Sequence, residues 1–353
     1  MYFSFHRQTI LTESKIIFKE KREILKTALI TGGSGHVGAN LVRELTARDY
    51  KVRCIDFDGD HRAFDGYDVE LFKGSVTDIE SLDKAFAGVD VVFHTAAIIS
   101  LERKNRNLIR SVNVDGTKNV CEMALKHNVK KLIHFSSVDA FIREPLDDPL
   151  LEDRPLVVDP NTVPYDLSKA DAQRIVLDFC NKGLDASIIH PSGIFGPNDF
   201  KPSLFGQEFI KIANGKRPYS INVGYDYVDV RDLCTTAVNC VEQGRSKQNY
   251  IVGGNYMDFV YMADIISDEL GKKLLRGTIP FFTIYLSLPF YFLQSIMSNS
   301  PRAITLDSIH TIKVQNKNIP SKLSKDELGH YPRPIVETIS DTIRFFKDSK
   351  FIN

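Results

Sequence analysis

The sequence predicts an α/β fold built on a doubly wound parallel sheet, with a smaller region interleaved toward its C-terminal end. Three observations predict it. Short apolar runs alternate with segments of helical period through the first half of the chain. One strand runs directly into a helix across a knot of glycines, in "KTALITGGSGHVGANLVREL". An acidic residue then ends the following strand, at about the 20-residue distance that matters below. Strand–helix alternation of this kind demands a parallel sheet with helices on both faces. A length of 353 residues suits one large unit of that design with a smaller region attached.

Taken in order, "TALIT" is a short buried strand carrying Ala28, Leu29 and Ile30. Val37, Leu41, Val42 and Leu45 then repeat at helical spacing, giving a helix over His36–Arg48. "KVRCID" and "VELFKG" are strands, and "DIESLDKAFAG" is a helix with Asp78 as its N-cap. "VDVVFHTAA" is a fully buried strand, "NVDGTKNVCEMALKHN" a helix and "KLIHFSS" another strand. A long helix from Tyr165 to Asn181 stops at Gly183, where a helix C-cap belongs. "LDASIIHPS" is the next strand. After Gly196-Pro197 the rhythm loosens, and "YDYVDVRDLCTTAVNCVEQ" and "QNYIVGG" read as pieces returning to the main sheet.

Composition excludes several classes. A hydrophobic share of 43% and a charged share of 25% are those of an ordinary globular protein. Lys plus Arg equals Asp plus Glu, so no electrostatic footprint for nucleic acid or an anionic membrane is expected. The 5 cysteines, Cys54, Cys121, Cys180, Cys234 and Cys240, form no CxxC pair. They read as small core residues in a reduced, cytoplasmic setting, and no metal is expected. Residues 1–25 lack the apolar core of a signal peptide and read as an N-terminal extension.

The glycine knot carries chemistry. Gly32, Gly33, Gly35 and Gly38 stand where the strand becomes the helix, so the first free N–H groups of that helix point into the turn. Those donors and the helix dipole favour a phosphate. Glycine lets the backbone approach it closely. Asp56, at the end of "KVRCID", can accept hydrogen bonds from the 2′- and 3′-hydroxyls of an adenosine ribose and would repel a 2′-phosphate. Asp58 and Asp60 add negative charge nearby, and Arg62 is the one cation close by. Together these features make a Rossmann-type dinucleotide site and favour NAD over NADP. The expected organisation is an extension over 1–25, an NAD(P)-binding domain over 26–197 with returning segments near 221–254, and a substrate-binding or lid region over 198–220 and 255–353.

A second constellation is "YDLSK". Tyr165 and Lys169 are four residues apart and share a helix face. An ammonium beside a phenol lowers the phenol's pKa from its usual value near 10, so that it can exchange a proton with a carbonyl oxygen. Ser136 and Ser137 end the preceding strand at the sheet edge where open α/β folds place their sites. A hydroxyl there can hold the same carbonyl oxygen, or simply cap a turn.

These residues resemble the extended short-chain dehydrogenase/reductase family, the NAD-dependent epimerase/dehydratase superfamily. Within it they are most similar to the dihydroflavonol reductase and 3β-hydroxysteroid dehydrogenase branch. The resemblance runs from about Lys26 to Lys347 through TGGSGHVG, Asp56, "GVDVVFHTAA", "NVDGT", "HFSS", "YDLSK", "HPSGIFGP", "YVDVRDLC" and "SKLSKDELGHYPRP". It implies that Gly32, Gly35, His36, Val37 and Gly38 surround the pyrophosphate and Asp56 the adenosine ribose. His94, Ala96 and Ala97 would line the strand beneath the cofactor, Asn113 would support that site, and Pro191 and Ser192 would approach the nicotinamide. Ser137, Tyr165 and Lys169 would be the catalytic trio, Lys169 also holding the nicotinamide ribose. Gly74-Ser75 departs from the Gly-Asp of relatives, which leaves Ser75 or the backbone of Val76 to meet the adenine.

The function implied is an NAD(P)-dependent oxidoreductase acting on a carbonyl or secondary alcohol of a small, apolar or aromatic substrate. A nucleotide-sugar epimerase or dehydratase is the alternative. Such enzymes place an arginine where this chain has Tyr225, and a diphosphate needs charge-assisted partners. A non-catalytic dinucleotide sensor is the third reading, and relatives of that kind lose the tyrosine–lysine pair. The uncharged stretch from Gly277 to Pro301 approaches the length of a membrane span but holds Pro280 and Pro289. It is expected to cover an apolar substrate and not to meet a membrane. A homodimer is expected through helices carrying Val112, Val120, Met123, Ile175 and Phe179.

Overall fold

The glycine knot lies at the centre of a parallel sheet in the computed structural model, which describes residues 26–57, 61–100, 102–298, 309, 313 and 315–352. The N-terminal extension, Asp58 and Asp60 fall outside the described residues. The first half alternates as its apolar period requires: β1 (Thr27–Thr31), α1 (His36–Ala47), β2 (Lys51–Asp56), β3 (Val69–Lys73), α2 (Ile79–Phe86), β4 (Val91–His94), α3 (Arg106–Ile109), α4 (Gly116–Lys126), β5 (Lys131–Phe135), α5 (Pro164–Asn181) and β6 (Ala186–Pro191). Asp78 caps α2 by accepting from the N–H groups of Glu80 and Ser81.

These strands and a later one, β10 (Asn249–Val252), form a seven-stranded sheet in the order β10-β6-β5-β4-β1-β2-β3, all parallel. The strand order reverses between β1 and β4, so the crevice at the C-terminal ends of those two strands is where such a sheet binds ligands. Alternate strand residues serve opposite layers. Ala28, Ile30, Val52, Cys54 and Phe93 pack against Leu41, Val42 and Leu45 of α1, together with Leu233 and Ala237 of a later helix. Leu29, Ile55, Val92, Leu132 and Ile188 pack against Leu82, Val120, Val176 and Phe179 on the other face. Each buried Val, Leu, Ile or Phe among them is worth roughly 1.5–3 kcal/mol. All five cysteines are free and buried.

The second half departs from the expectation in one respect. It continues with β7 (Gly193–Phe195), α6 (Leu204–Ala213), β8 (Tyr219–Ser220), β9 (Gly224–Asp229), α7 (Val230–Gln243) and β10 (Asn249–Val252). Then come β11 (Asn255–Asp258), α8 (Phe259–Leu270), β12 (Gly277–Thr278), α9 (Thr283–Ser298), α10 (Lys322–Leu328) and α11 (Ile335–Asp348). "QNYIVGG" does return to the main sheet, as β10 beside β6. "YDYVDV" does not. It forms β9, in a small sheet ordered β11-β9-β7, and only the helix after it, α7, comes back to cover the seven strands. A third core of Phe195, Phe209, Tyr227, Met257, Ile266 and Phe346 holds this smaller region together.

Two further expectations change. The helix expected from Asn113 is preceded by α3 and a wide π turn over Arg110–Asp115, so the turn begins before Asn113 and places it in its bend. Val120, Met123 and Phe179, expected to meet a partner chain, are buried inside this one, with Val112 and Ile175 packed against the same cluster. The sheet takes the apolar faces of α4 and α5.

Candidate active site

At the crevice, close packing explains the glycines. A Cβ on Gly38 would stand 2.3 Å from the Gly32 carbonyl oxygen and 2.6 Å from that of Gly33. Gly32 has φ +75, and a Cβ there would reach 3.0 Å from the Ala96 Cα. Gly35 precedes α1 without any side-chain cap, which leaves the first-turn N–H groups for an anion. Asp56 is tied to this loop through a residue that sequence reasoning missed: its Oδ2 accepts from the Ser34 N–H at 2.7 Å and the Ser34 hydroxyl at 2.6 Å. Donors at the loop and a carboxylate at the next strand end fit a dinucleotide.

Neighbouring residues brace that cradle. His36 bonds the Pro197 carbonyl at 3.0 Å through Nε2, and the Val37 carbonyl accepts from Cys234 of α7. Thr95 and Ala96 bond back to Thr31, with Ala97 half-buried after them. His94 is not at the surface of the crevice. It lies buried between Thr31 and Thr117, bonded to both at 2.8 and 2.9 Å, and burial together with the Lys169 charge lowers its pKa to about 3. Ser75 spends its hydroxyl on Thr77, while the Val76 carbonyl accepts from Asn119. Arg62 reaches across to the Phe200 carbonyl.

Ser137, Tyr165 and Lys169 come together where β5 meets the N-terminus of α5. Ser137 caps the turn after β5: its hydroxyl accepts from the Asp139 N–H at 3.2 Å and donates to Asp139 Oδ2 at 3.1 Å. Of the two readings of that serine, the turn cap is the one observed. Lys169 donates to the Phe135 carbonyl at 2.7 Å, with its Nζ 5.9 Å from the Tyr165 ring centroid. Burial lowers the lysine to about 8. The phenol, however, is raised and not lowered. Burial is the main cause, and the charges of Asp139 and Asp166 add to it, opposed only by the Ser137 hydroxyl. The expectation of an ammonium-depressed phenol is corrected accordingly.

Sequence reasoning missed the ionic group beneath this trio. Arg143 Nη2 donates to Asp139 at 2.7 Å and to Asp166 at 2.9 Å. Burial and then Asp139 raise the Asp166 carboxyl, while Arg143 opposes them. Asn113, in its π turn, bonds both backbone groups of Ile98 and donates to Ser168 at 3.0 Å. On adjacent strands below lie His94, His134 and His190. His134 has no hydrogen-bond partner on either ring nitrogen, and burial and its charged neighbours hold it well below the usual histidine value. His190 Nδ1 bonds the Ser137 carbonyl at 2.9 Å, which fixes the strand end. Pro191 pairs with Val252, and the Ser192 hydroxyl is buried without a hydrogen-bond partner.

Beside the trio stands an aromatic wall. Tyr225 is raised by burial and then by the charge of Asp139, with Arg143 opposing. Its ring lies 5.9 Å from Tyr227 and 6.0 Å from Phe259, and Phe205 stacks 4.4 Å from Tyr227.

A profile of the NAD dependent epimerase/dehydratase family matches residues 28–253. The chain is 30% identical over 331 residues to the Sterol demethylase protein B of Methylococcus capsulatus, covering 92% of this chain and 100% of that one. It is 29% identical over 280 residues to the 3-beta-hydroxysteroid dehydrogenase of Mycolicibacterium neoaurum, covering 72% of each. Among solved structures, the UDP-glucose 4-epimerase of Thermotoga maritima with UDP-glucose matches with a TM-score of 0.74 at 18% identity, covering 92% of this chain and 99% of that one. At that identity the likeness is one of fold.

Proposed function

The chain belongs to the NAD dependent epimerase/dehydratase family and is an NAD(P)-dependent oxidoreductase, and from that premise we propose that it interconverts a ketone and a secondary alcohol on a sterol-like, ring-bearing substrate. A nicotinamide dinucleotide, when bound, supplies or accepts the hydride. The reading rests above all on the meeting of Ser137, Tyr165 and Lys169 where β5 runs out and α5 begins.

In this reading Ser137 holds the substrate oxygen, and Tyr165 gives it a proton or takes one away. Burial keeps the phenol protonated at neutral pH, which is the form that donates to a carbonyl oxygen. Lys169, fixed on the Phe135 carbonyl, would turn its ammonium to the nicotinamide ribose. The α1 N-terminus with Gly32, Gly35 and Gly38 would take the pyrophosphate. Asp56 keeps Oδ1 for ribose hydroxyls while Oδ2 serves Ser34, and this favours NAD over NADP. Ser75 and Val76 lie four strands from β5, roughly 19 Å away at ordinary strand spacing, where an adenine would end.

The aromatic wall supports an apolar substrate. A sugar nucleotide would need a cation at its diphosphate, and Tyr225 offers a buried phenol instead. The test is a panel of ketones, aldehydes, 3-hydroxysterols and UDP-sugars, followed by NADH absorbance for the first three and by product analysis for the last. Oxidation or reduction of a ring-bearing alcohol or ketone is the expected result. Conversion of a UDP-sugar alone would overturn the proposal.

A further inference from the structure

Helix α9 turns its apolar side outward, the reverse of an ordinary helix in a globular protein. Its first turn starts at Phe282, whose carbonyl accepts from the Tyr285 N–H. Counting 100° per residue from Phe282, Leu286, Phe290 and Met297 fall within an arc of roughly 80°, and Ile284 falls about 200° away. The exposures follow that geometry. Phe282, Leu286, Phe290 and Met297 are 62%, 73%, 66% and 80% exposed, while Ile284 is buried against the protein. Such a stripe of large side chains in water marks a contact surface.

Charge says what the contact is. From Gly271 to Pro301 the chain carries Lys272, Lys273 and Arg276 and no acidic residue, in a protein whose formal net charge is zero. All three cations are exposed, immediately ahead of the apolar stripe in the chain. A bare apolar patch would suit another protein equally well. An apolar stripe led by a cluster of cations suits a surface with acyl chains behind phosphates. The helix cannot cross such a layer. Its 16 residues rise roughly 24 Å against a hydrocarbon core of about 30 Å, and no helix among the described residues is long and apolar enough to span one.

We propose that α9 lies in the interface of an anionic lipid bilayer, with Phe282, Leu286, Phe290 and Met297 at the acyl boundary and Lys272, Lys273 and Arg276 against lipid phosphates. This reverses the sequence expectation that the segment meets no membrane. That expectation rests on Pro280 and Pro289, which argue against a span and do not bear on a helix lying in the interface. In the structure Ile284, opposite the stripe, is buried against protein, and the cations stand ahead of the helix in the chain. The proposal rests on this helix and not on the reaction assigned above, which it serves by bringing the site to where a sterol-like substrate dissolves.

The test is flotation of the full chain with phosphatidylcholine vesicles, with and without phosphatidylglycerol. Three cations near an anionic surface predict at least tenfold stronger partition with phosphatidylglycerol, weakened by salt. The double variant Leu286→Asp, Phe290→Asp should lose flotation, with NADH binding and thermal unfolding as checks on its fold. Lys272→Glu with Lys273→Glu, on exposed positions, should lose only the phosphatidylglycerol preference. A wild-type chain that floats with neither vesicle would overturn the proposal. So would flotation indifferent to the double variant, or a dimer in light scattering that the double variant splits, which would make the stripe a contact between copies.

Discussion

Replacing Arg143 by glutamine would leave two carboxylates facing each other with no cation between them. Arg143 bridges Asp139 at 2.7 Å and Asp166 at 2.9 Å, and the Asp166 side chain is 2% exposed. Removing one partner of a buried ion pair costs about 3–5 kcal/mol. Asp139 keeps some contact with water, so the lower end applies, about 3 kcal/mol, or roughly 4 °C in Tm for a chain of 353 residues. The pH dependence is the sharper signature. Asp166 is raised above its unfolded value by burial and then by Asp139, so over that interval the folded chain holds a proton that the unfolded chain has released. Stability therefore falls as pH rises through the interval, by about 1.4 kcal/mol per pH unit. Arg143 is what restrains the shift, and without it the interval extends upward. The deficit of Arg143→Gln should thus be small near about pH 5 and grow toward about pH 8. Calorimetric unfolding of both proteins across that range measures it. A deficit that does not change with pH, or no deficit at all, would refute the reasoning.

The remaining predictions concern the reaction. Tyr165→Phe keeps the ring but removes the proton donor, so turnover on any active carbonyl should drop by about 10²–10⁴-fold with NADH affinity unchanged; near-normal single-turnover rates would count against the role. Ser137→Ala should lose mainly turnover, and Lys169→Ala both turnover and NADH affinity, as stopped-flow and fluorescence titration would show. Lys169 sits at about 8, charged below that value and neutral above it, so NADH affinity and ketone reduction should decline together as pH rises past about 8. An affinity flat across that range would remove the lysine from the cofactor. Asp56→Ala should weaken NADH on the order of tenfold and narrow its advantage over NADPH, with Ser34 set loose as well. Tighter NADPH binding by the unaltered chain would sink the assignment and point to Arg62.

What the sequence showed and what it hid divide along physical lines. The strand "TALIT", the glycine loop and Asp56 are local patterns, and their period and spacing survive folding unchanged. "YDYVDV" is also a good strand, but alternation does not say which sheet takes it, and the small sheet did. The π turn at Arg110–Asp115 shifts the apolar period by a residue, which is why the helix was read from Asn113 onward. Val120, Met123 and Phe179 make an apolar face whose partner only the packed sheet identifies. Arg143 and Asp166 are 23 residues apart on different elements, and no spacing rule joins them. Ser34 lay inside the glycine loop itself. A hydroxyl or N–H at that place, facing an acidic strand end, was the one available signal for it.

Tyr165 shows why a motif alone does not fix chemistry. The four-residue spacing to Lys169 is real, yet the ammonium sits on the Phe135 carbonyl and burial governs the phenol. Desolvation acts on every group in this pocket in the direction of neutrality: up for Tyr165, down for Lys169, and down for His94, His134 and His190 beneath it. The three neutral histidines place rigid, uncharged rings under the lysine, so the ammonium is the main positive charge that the strand ends can present there. Arg143 is spent on Asp139 and Asp166. With the phenol protonated and the lysine near its own midpoint at slightly alkaline pH, the pocket holds its proton on the group proposed to meet the substrate oxygen. That disposition favours giving a proton to a carbonyl over taking one from an alcohol. Oxidation would require a charge to enter the pocket and pull the phenol down, and an oxidised nicotinamide, being cationic, is a group of that sign.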